Sequence, residues 1–179
     1  MPNFVGDKFL MWYNKKTKGL SMSLEKVIKH FEKFGIENRI NNLSENTATV
    51  ALAARALGCK EEEIAKTLAF YGNGYPILVV AAGDTKIDNK KFKETFGIKA
   101  KMIAFSEVEE IVGHAVGGVC PFGVNEGSQV FLDQSLKRFE YVYPACGSSC
   151  SVIKLSICEL EKYSNFIRWV DVCTQKESL

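Results

Sequence analysis

The stretch Gly113-His114-Ala115-Val116-Gly117-Gly118-Val119-Cys120-Pro121-Phe122-Gly123 holds the densest group of residues able to do chemistry. Its four glycines allow positive φ and close approach of backbone to a ligand, while Pro121 fixes its own φ and pushes Cys120 towards extended geometry. Such a loop can offer bare amides to a carbonyl or an oxyanion. It can equally be a tight strand connection. Lys66, in Ile64-Ala65-Lys66-Thr67-Leu68-Ala69-Phe70, is a lone cation at the mouth of an apolar strand. It can snorkel to the surface, or point into a cleft and neutralise developing negative charge.

Other reactive residues carry less. His114 follows a helix end, where a histidine commonly meets the last carbonyls, and His30 falls on the polar side of the first helix. Cys120 could be a nucleophile with His114 nearby, but a buried thiol is the plainer reading. Cys146 and Cys150 could open a zinc site, yet only His30 and His114 could join them, so no metal and no cofactor is expected. The phosphate-loop order Gly-x-x-x-x-Gly-Lys-Ser/Thr and the Gly-x-Ser-x-Gly elbow are both absent.

The elements that must position these residues follow from periodicity. Leu24, Val27, Ile28, Phe31 and Phe34 fall at helical spacing, with Ser23 as N-cap and Gly35 past the end. Residues 36–40 read as a short extended piece. Thr47 caps an Ala-rich helix over 48–57, stopped by Gly58. The apolar runs 67–71 and 76–82, joined by Gly72-Asn73-Gly74-Tyr75, predict a hairpin. Asp88 caps a basic helix ending before Gly97, and 98–105 is strand-like. Ser106-Glu107-Val108-Glu109 reads as a capping box for a short helix ending at Gly113, and Ser156-Ile157-Cys158-Glu159 as another. Strands are expected at 130–132, 140–143, 152–155 and 166–172. Strands and helices alternate irregularly, so the fold class is α+β: a single domain with a mixed, mostly antiparallel sheet flanked by short helices.

Composition narrows the class. The chain has 179 residues, 46% hydrophobic and 25% charged, typical of one globular domain without a need for staples. The longest apolar run, 76–82, is far below the roughly 20 residues that cross a bilayer, so no membrane partner is expected. Net charge is +2, and the excess sits in residues 1–22, where Lys8, Lys15, Lys16 and Lys18 face Asp7 alone. A general grip on duplex nucleic acid is disfavoured. The lysines between 86 and 101 form either a solvated helix face or a phosphate-contacting patch. Six irregularly spaced cysteines and no secretory leader point to free thiols in a reducing, cytoplasmic setting. Residues 1–22 read as an extension, 23–173 as the domain and 174–179 as a tail.

Thr47, Ala53-Ala54, Leu57-Gly58, Ile64-Ala65-Lys66-Thr67-Leu68, Ala82-Gly83-Asp84, Lys90-Lys91 and the run from Gly117 to Gly123 occur in an order that resembles the YbaK/prolyl-tRNA-synthetase editing-domain family. Asp133-Gln134-Ser135-Leu136, Ala145-Cys146-Gly147 and Trp169-Val170-Asp171-Val172 continue the likeness, which spans about residues 23–173. The resemblance implies an α+β domain acting in trans to hydrolyse the ester between a wrong amino acid and tRNA, with an aminoacyl-tRNA synthetase as a further partner. It implies Lys66 and Gly117 as catalytic residues. Thr47, His114, Gly118, Val119, Cys120, Pro121, Gly147 and Ser148 would line the substrate site. Where some members of the family place a serine, this chain has Ala145, with Ser148 and Ser149 slightly later.

An activated ester needs a placed water, an oriented carbonyl and a sheltered oxyanion rather than a strong protein nucleophile. A second, smaller pocket has a physical rationale, since a synthetase rejects a smaller analogue by only about 1–3 kcal/mol per missing methylene. Alanine, cysteine, serine and threonine all remain open as the side chain, with tRNA-Pro as one carrier. Two other classes stay beside the deacylase: a non-catalytic module binding tRNA or a synthetase, and a thiol or zinc protein built on Cys120, Cys146 and Cys150.

Overall fold

The computed structural model describes residues 21–176. In chain order these form α1 (Met22–Glu32), a 3-10 turn (Glu37–Arg39), β1 (Asn41–Asn42), α2 (Val50–Leu57), β2 (Ile64–Tyr71), β3 (Pro76–Ala82), β4 (Thr85–Ile87), α3 (Asn89–Phe96) and α4 (Val108–Val112). There follow β5 (Gln129–Asp133), β6 (Tyr141–Pro144), β7 (Ser151–Val152), β8 (Leu155–Ser156), α5 (Ile157–Tyr163), β9 (Arg168–Val170) and β10 (Cys173–Gln175). The main sheet runs β8-β6-β2-β3-β5-β9. The β2–β3 hairpin is antiparallel, Ala65 facing Ala82 at one end and Tyr71 facing Pro76 at the other. The β2–β6, β3–β5 and β5–β9 ladders are parallel.

The continuous apolar run of β3 follows from its central place. A strand covered on both faces needs apolar residues at every position rather than at alternate ones. Leu78, Val80 and Ala82 enter a core with Val27 and Phe31 of α1, Leu160 of α5 and Phe122. Ile77, Val79 and Ala81 enter a second core beneath α3, where the Phe92 ring packs tilted against Phe70 at 4.8 Å and Phe96 meets Phe131 edge-on at 4.9 Å. The sheet is thus sandwiched between α3 on one side and α1, α5 and the glycine loop on the other.

Several local expectations shift. Ser21, not Ser23, caps α1 by accepting from the Leu24 amide at 3.3 Å. Ser23 is buried and accepts from the Ala115 amide at 2.9 Å, so its hydroxyl ties the helix to the loop. Thr49 caps α2, leaving the Thr47 hydroxyl to donate to the Ser149 carbonyl at 2.8 Å. Residues 36–40 curl into the 3-10 turn instead of extending. The run 98–105 makes one isolated bridge, Met102 to Phe70. The Glu107 carboxylate accepts from the Tyr71 hydroxyl at 2.6 Å, so no side chain caps α4. The expected strand over 152–155 splits into β7 and β8. The last strand shortens to Arg168–Val170, and Thr174 and Gln175 join β10, which pairs with β4. Of the expected extension, residues 1–20 lie outside the described residues, and α1 already begins at Met22.

Both described histidines are core residues. His30, expected on the polar side of α1, is buried and donates from Nε2 to the Tyr163 carbonyl at 2.6 Å. His114 is fully buried, donates from Nε2 to the Phe122 carbonyl at 2.7 Å, and leaves Nδ1 without a partner. Burial holds its pKa down at about 4, with Lys26 and His30 pushing the same way. The unfolded chain therefore takes up a proton near pH 6.5 that the folded chain refuses until about pH 4. This contribution to stability is complete above pH 6.5 and is lost as pH falls towards 4, by up to roughly 3 kcal/mol. His30, also lowered by burial, adds in the same direction. Urea melts between pH 7 and pH 4 should show this slope, and His114→Gln should flatten it; an equal slope in the variant would assign the acid sensitivity elsewhere.

Candidate active site

The site begins as a break in the sheet. On the outer edge of β2, Ile64 and Ala65 pair with β6. At the other end the Tyr71 amide donates to the Lys101 carbonyl and the Ile103 amide to the Ala69 carbonyl, each at 2.9 Å. Ala69 and Tyr71 thus turn their peptide groups towards that edge. By the two-residue period of a strand so does Thr67, which has no strand opposite it. The Thr67 Oγ1 is also buried without a partner.

A cavity of about 330 Å³ occupies the break. One wall is β2 from Ile64 to Ala69; the others come from α2 and its lead-in (Thr47, Ala53), from Ile103 and Val108, from Val116, Gly117 and Val119, and from Tyr143 and Ala145. Met102, Phe105 and Val116 ring it with largely exposed apolar side chains. The walls are mostly apolar, so the few polar groups facing inward are poorly solvated and correspondingly strong.

The glycine loop meets the cavity by a close backbone contact. Gly118 accepts from the Gly147 amide at 3.0 Å, and a Cβ on Gly118 would come within 2.4 Å of the Gly147 and Ser148 backbone. Gly117 has φ 85° and lines the cavity beside Ala48 and Ser149. The Gly118 amide is spent on the Ala115 carbonyl at 3.0 Å. Among the described residues the Gly117 and Val119 amides make no internal hydrogen bond, so both are free to donate.

Of the residues expected at the site, the cavity brings together Thr47, Lys66, Gly117 and Val119. Gly118, Cys120, Pro121, His114, Gly147 and Ser148 do not line it. Cys120 and His114 are buried behind the loop with the Sγ 3.6 Å from Nε2, and Pro121 faces a different groove. The Ser148 hydroxyl donates to Ser151, which donates to Asn42, so it fastens the loop. Burial pushes the Cys120 thiol up to about 12 and Cys146 well above its ordinary value, which keeps both as unreactive thiols.

Lys66 contributes to the cavity wall, but strand alternation places its side chain on the face opposite Thr67. Its ammonium donates to the Gly83 carbonyl at 3.2 Å and to the Thr85 carbonyl. Burial, with Lys176 nearby, lowers its pKa to about 8, against the pull of Cys173 and Asp84. Thr67 was missed by sequence reasoning because a β-branched residue in a strand reads as an ordinary strand former. Phe105 and Met102 were missed because 98–105 read as a strand. Among the described residues no group of three or more His, Cys, Asp or Glu could hold a metal ion.

The model of the aminoacyl-tRNA editing domain matches residues 44–163, a span containing every residue that lines the cavity. The chain belongs to this family. The chain is 49% identical over 157 residues to the uncharacterized protein YwhH of Bacillus subtilis, covering 87% of this chain and all of that one. It is 31% identical over 90 residues to the proline--tRNA ligase of Nitratidesulfovibrio vulgaris, covering 50% of this chain and 16% of the ligase. A solved structure described as a proposed trans-editing enzyme for prolyl tRNA synthetase superposes with TM-score 0.77 at 27% identity, covering 89% of this chain and all of that one. That of hypothetical protein APE2540 gives TM-score 0.71 at 29% identity, with coverage of 81% and 99%.

Thr67 supplies a direct test of the cavity. Its hydroxyl bonds nothing in the protein, so Thr67→Val should leave the melting temperature unchanged or slightly raised. If the editing domain uses the cavity, the same variant should lower turnover of a mischarged tRNA by about fivefold or more; a fully active variant would remove the hydroxyl from the site.

Proposed function

We propose that this editing domain hydrolyses, in trans and in the cytoplasm, the ester that joins a small wrong amino acid to the 3′ end of a tRNA. The observation carrying this reading is the break in the sheet, where the unpaired Thr67 edge faces the free amides of the Gly117–Val119 bend across one small cavity. In this reading the Gly117 and Val119 amides donate to the ester carbonyl, and their bonds strengthen as its oxygen gains charge. The Thr67 carbonyl and hydroxyl are suited to hold the α-ammonium and a water. That water adds to the carbonyl carbon, the bond to the ribose oxygen breaks, and the ribose oxygen takes up the proton the water gives. Lys66 lends a buried positive charge behind the wall, which favours the developing oxyanion. The mostly apolar lining favours a small side chain of low polarity, and the likeness to prolyl-tRNA-synthetase relatives makes tRNA-Pro the first carrier to test.

A second reading is a module that binds charged tRNA, or a synthetase, without hydrolysing the ester. It draws on the Lys66 ammonium, already occupied by two carbonyls, and on Ala145, which puts a methyl group in the wall. A panel of tRNAs mischarged with alanine, cysteine, serine and threonine separates the two. Deacylation of at least one should exceed the spontaneous rate, and binding without hydrolysis across the panel would establish the module. Lys66→Ala should reduce deacylation at least tenfold, or about 1.4 kcal/mol, with the circular dichroism spectrum retained. Catalysed turnover, corrected for spontaneous hydrolysis, should fall as pH rises through about 8, where Lys66 loses its proton. Unchanged turnover in the variant would take Lys66 out of the mechanism.

A further inference from the structure

A second groove, of about 580 Å³, opens further along the loop whose first half lines the candidate active site. Pro121, Gly123 and Val124 form its loop side. Lys26 and Lys29 of α1 and Lys33 at its C-cap line it, at positions i, i+3 and i+7. Among the described residues none of these lysines has a carboxylate partner; Lys26 donates to the Asn125 side-chain oxygen at 3.0 Å. Glu126 is the one acid in the lining, and it is exposed.

The same lining includes hydroxyls that the protein leaves without a partner. Ser164 is 1% exposed, and its Oγ has no partner. The Oγ of Ser128 in the same lining is buried without one as well. Ser164 is right-handed (φ −82°, ψ −9°), and Asn165 follows at φ 49°, the single non-glycine residue with positive φ among those described. This right-then-left pairing turns successive amides to one side and forms an anion-binding concavity. The Asn165 and Phe166 amides make no hydrogen bond within the described residues.

Lysines late in α1 could serve only to offset the negative end of that helix. That role does not account for the two orphaned hydroxyls, Ser128 and Ser164. We infer that this groove is a phosphate-binding site that holds a backbone phosphate of the tRNA whose 3′ end enters the first cavity. The inference rests on the proposed function for the identity of the RNA, but not for the phosphate chemistry. Gly123 lies six steps along the chain from Gly117, which caps the backbone path between the two openings at roughly 20 Å, within reach of one bound RNA end.

The test uses uncharged tRNA, so that it does not depend on ester cleavage. Binding of the full chain to tRNA is measured by fluorescence anisotropy from 50 to 200 mM salt. Lys29→Ala/Lys33→Ala should weaken binding at least tenfold and flatten the log–log salt slope by about 0.7–0.9, the value for one lost phosphate contact. Ser164→Ala should weaken it about threefold with an unchanged melting temperature, a result that a helix-capping role does not produce. Hydrolysis of a short aminoacyl-adenosine ester, where present, should be unchanged in both variants. Full affinity and salt slope in the double variant would overturn the proposal. Loss of inorganic phosphate binding, read by NMR titration, with tRNA binding intact would overturn the RNA assignment and make the groove a free-phosphate site. Weakened tRNA binding in a protein that deacylates nothing would uphold this inference while removing the proposed hydrolysis.

Discussion

The constraint on which the rest of the molecule depends is that β2 has two different neighbours on one edge. β6 pairs with its first residues and the segment around Met102 with its last. Neither reaches the middle, and the peptide of Thr67 is left facing open space. An unpaired backbone group away from water costs about 1–3 kcal/mol, so a fold selected only for stability would close the gap. Here the gap is held open by its surroundings. Tyr71 donates to Glu107 and accepts from the Ala104 amide at 3.3 Å, which fixes the segment after Met102 against the end of β2, while Ala145 turns from β6 to bridge Val152. The cost is local and the cavity is its return.

The far wall depends on an equally demanding contact. Gly118 and Gly147 meet backbone to backbone, and Gly147 in turn leaves no room for a Cβ against the Ser23 carbonyl, 2.5 Å away. Three segments distant in sequence (the start of α1, the glycine loop and the turn after β6) therefore pack at a distance only glycine permits. The consequence is positional. Gly117 and Val119 are carried to the cavity, while Cys120 and His114, which have more familiar chemistry, are carried into the core. Desolvation then decides reactivity. A thiol pushed up to about 12 and an imidazole held near 4 are both neutral at pH 7, and neither is a nucleophile or an acid of use there.

Much of this architecture was legible in the sequence. The hairpin announced itself by two apolar runs about a Gly/Asn turn, and the helix over Asn89–Phe96 by Asp88 and Gly97, both of which cap it. The capping box at Ser156 forms with Glu159. Caps failed where two candidates stood two residues apart. Ser21 and Ser23, and Thr47 and Thr49, are chemically alike, and only tertiary partners decide which member caps and which ties the element to a loop. Strands β4 and β10 were illegible because three residues carry no period, and each exists only because the other pairs with it. At the site, Lys66, Gly117 and Val119 stood out by type, whereas Thr67 became visible only through what fails to pair with it.

Lys66 shows how strand geometry constrains chemistry. Successive side chains of a strand go to opposite faces, so Lys66 and Thr67 serve two sides of the sheet although they are adjacent. The ammonium is drawn towards the Gly83 and Thr85 carbonyls at the turn between β3 and β4, and that turn is fixed by the Asp84–Arg138 pair at 2.6 Å. Gly83 packs against α2, its missing Cβ leaving space for the Glu61 carbonyl and Val50. The same turn therefore holds the lysine on one side and sets the distance of α2, with its Thr47 and Ala53, from the cavity on the other. Charge and shape at the site are coupled through one turn, so a change in the Lys66 ammonium reaches the cavity through the backbone as well as through its field.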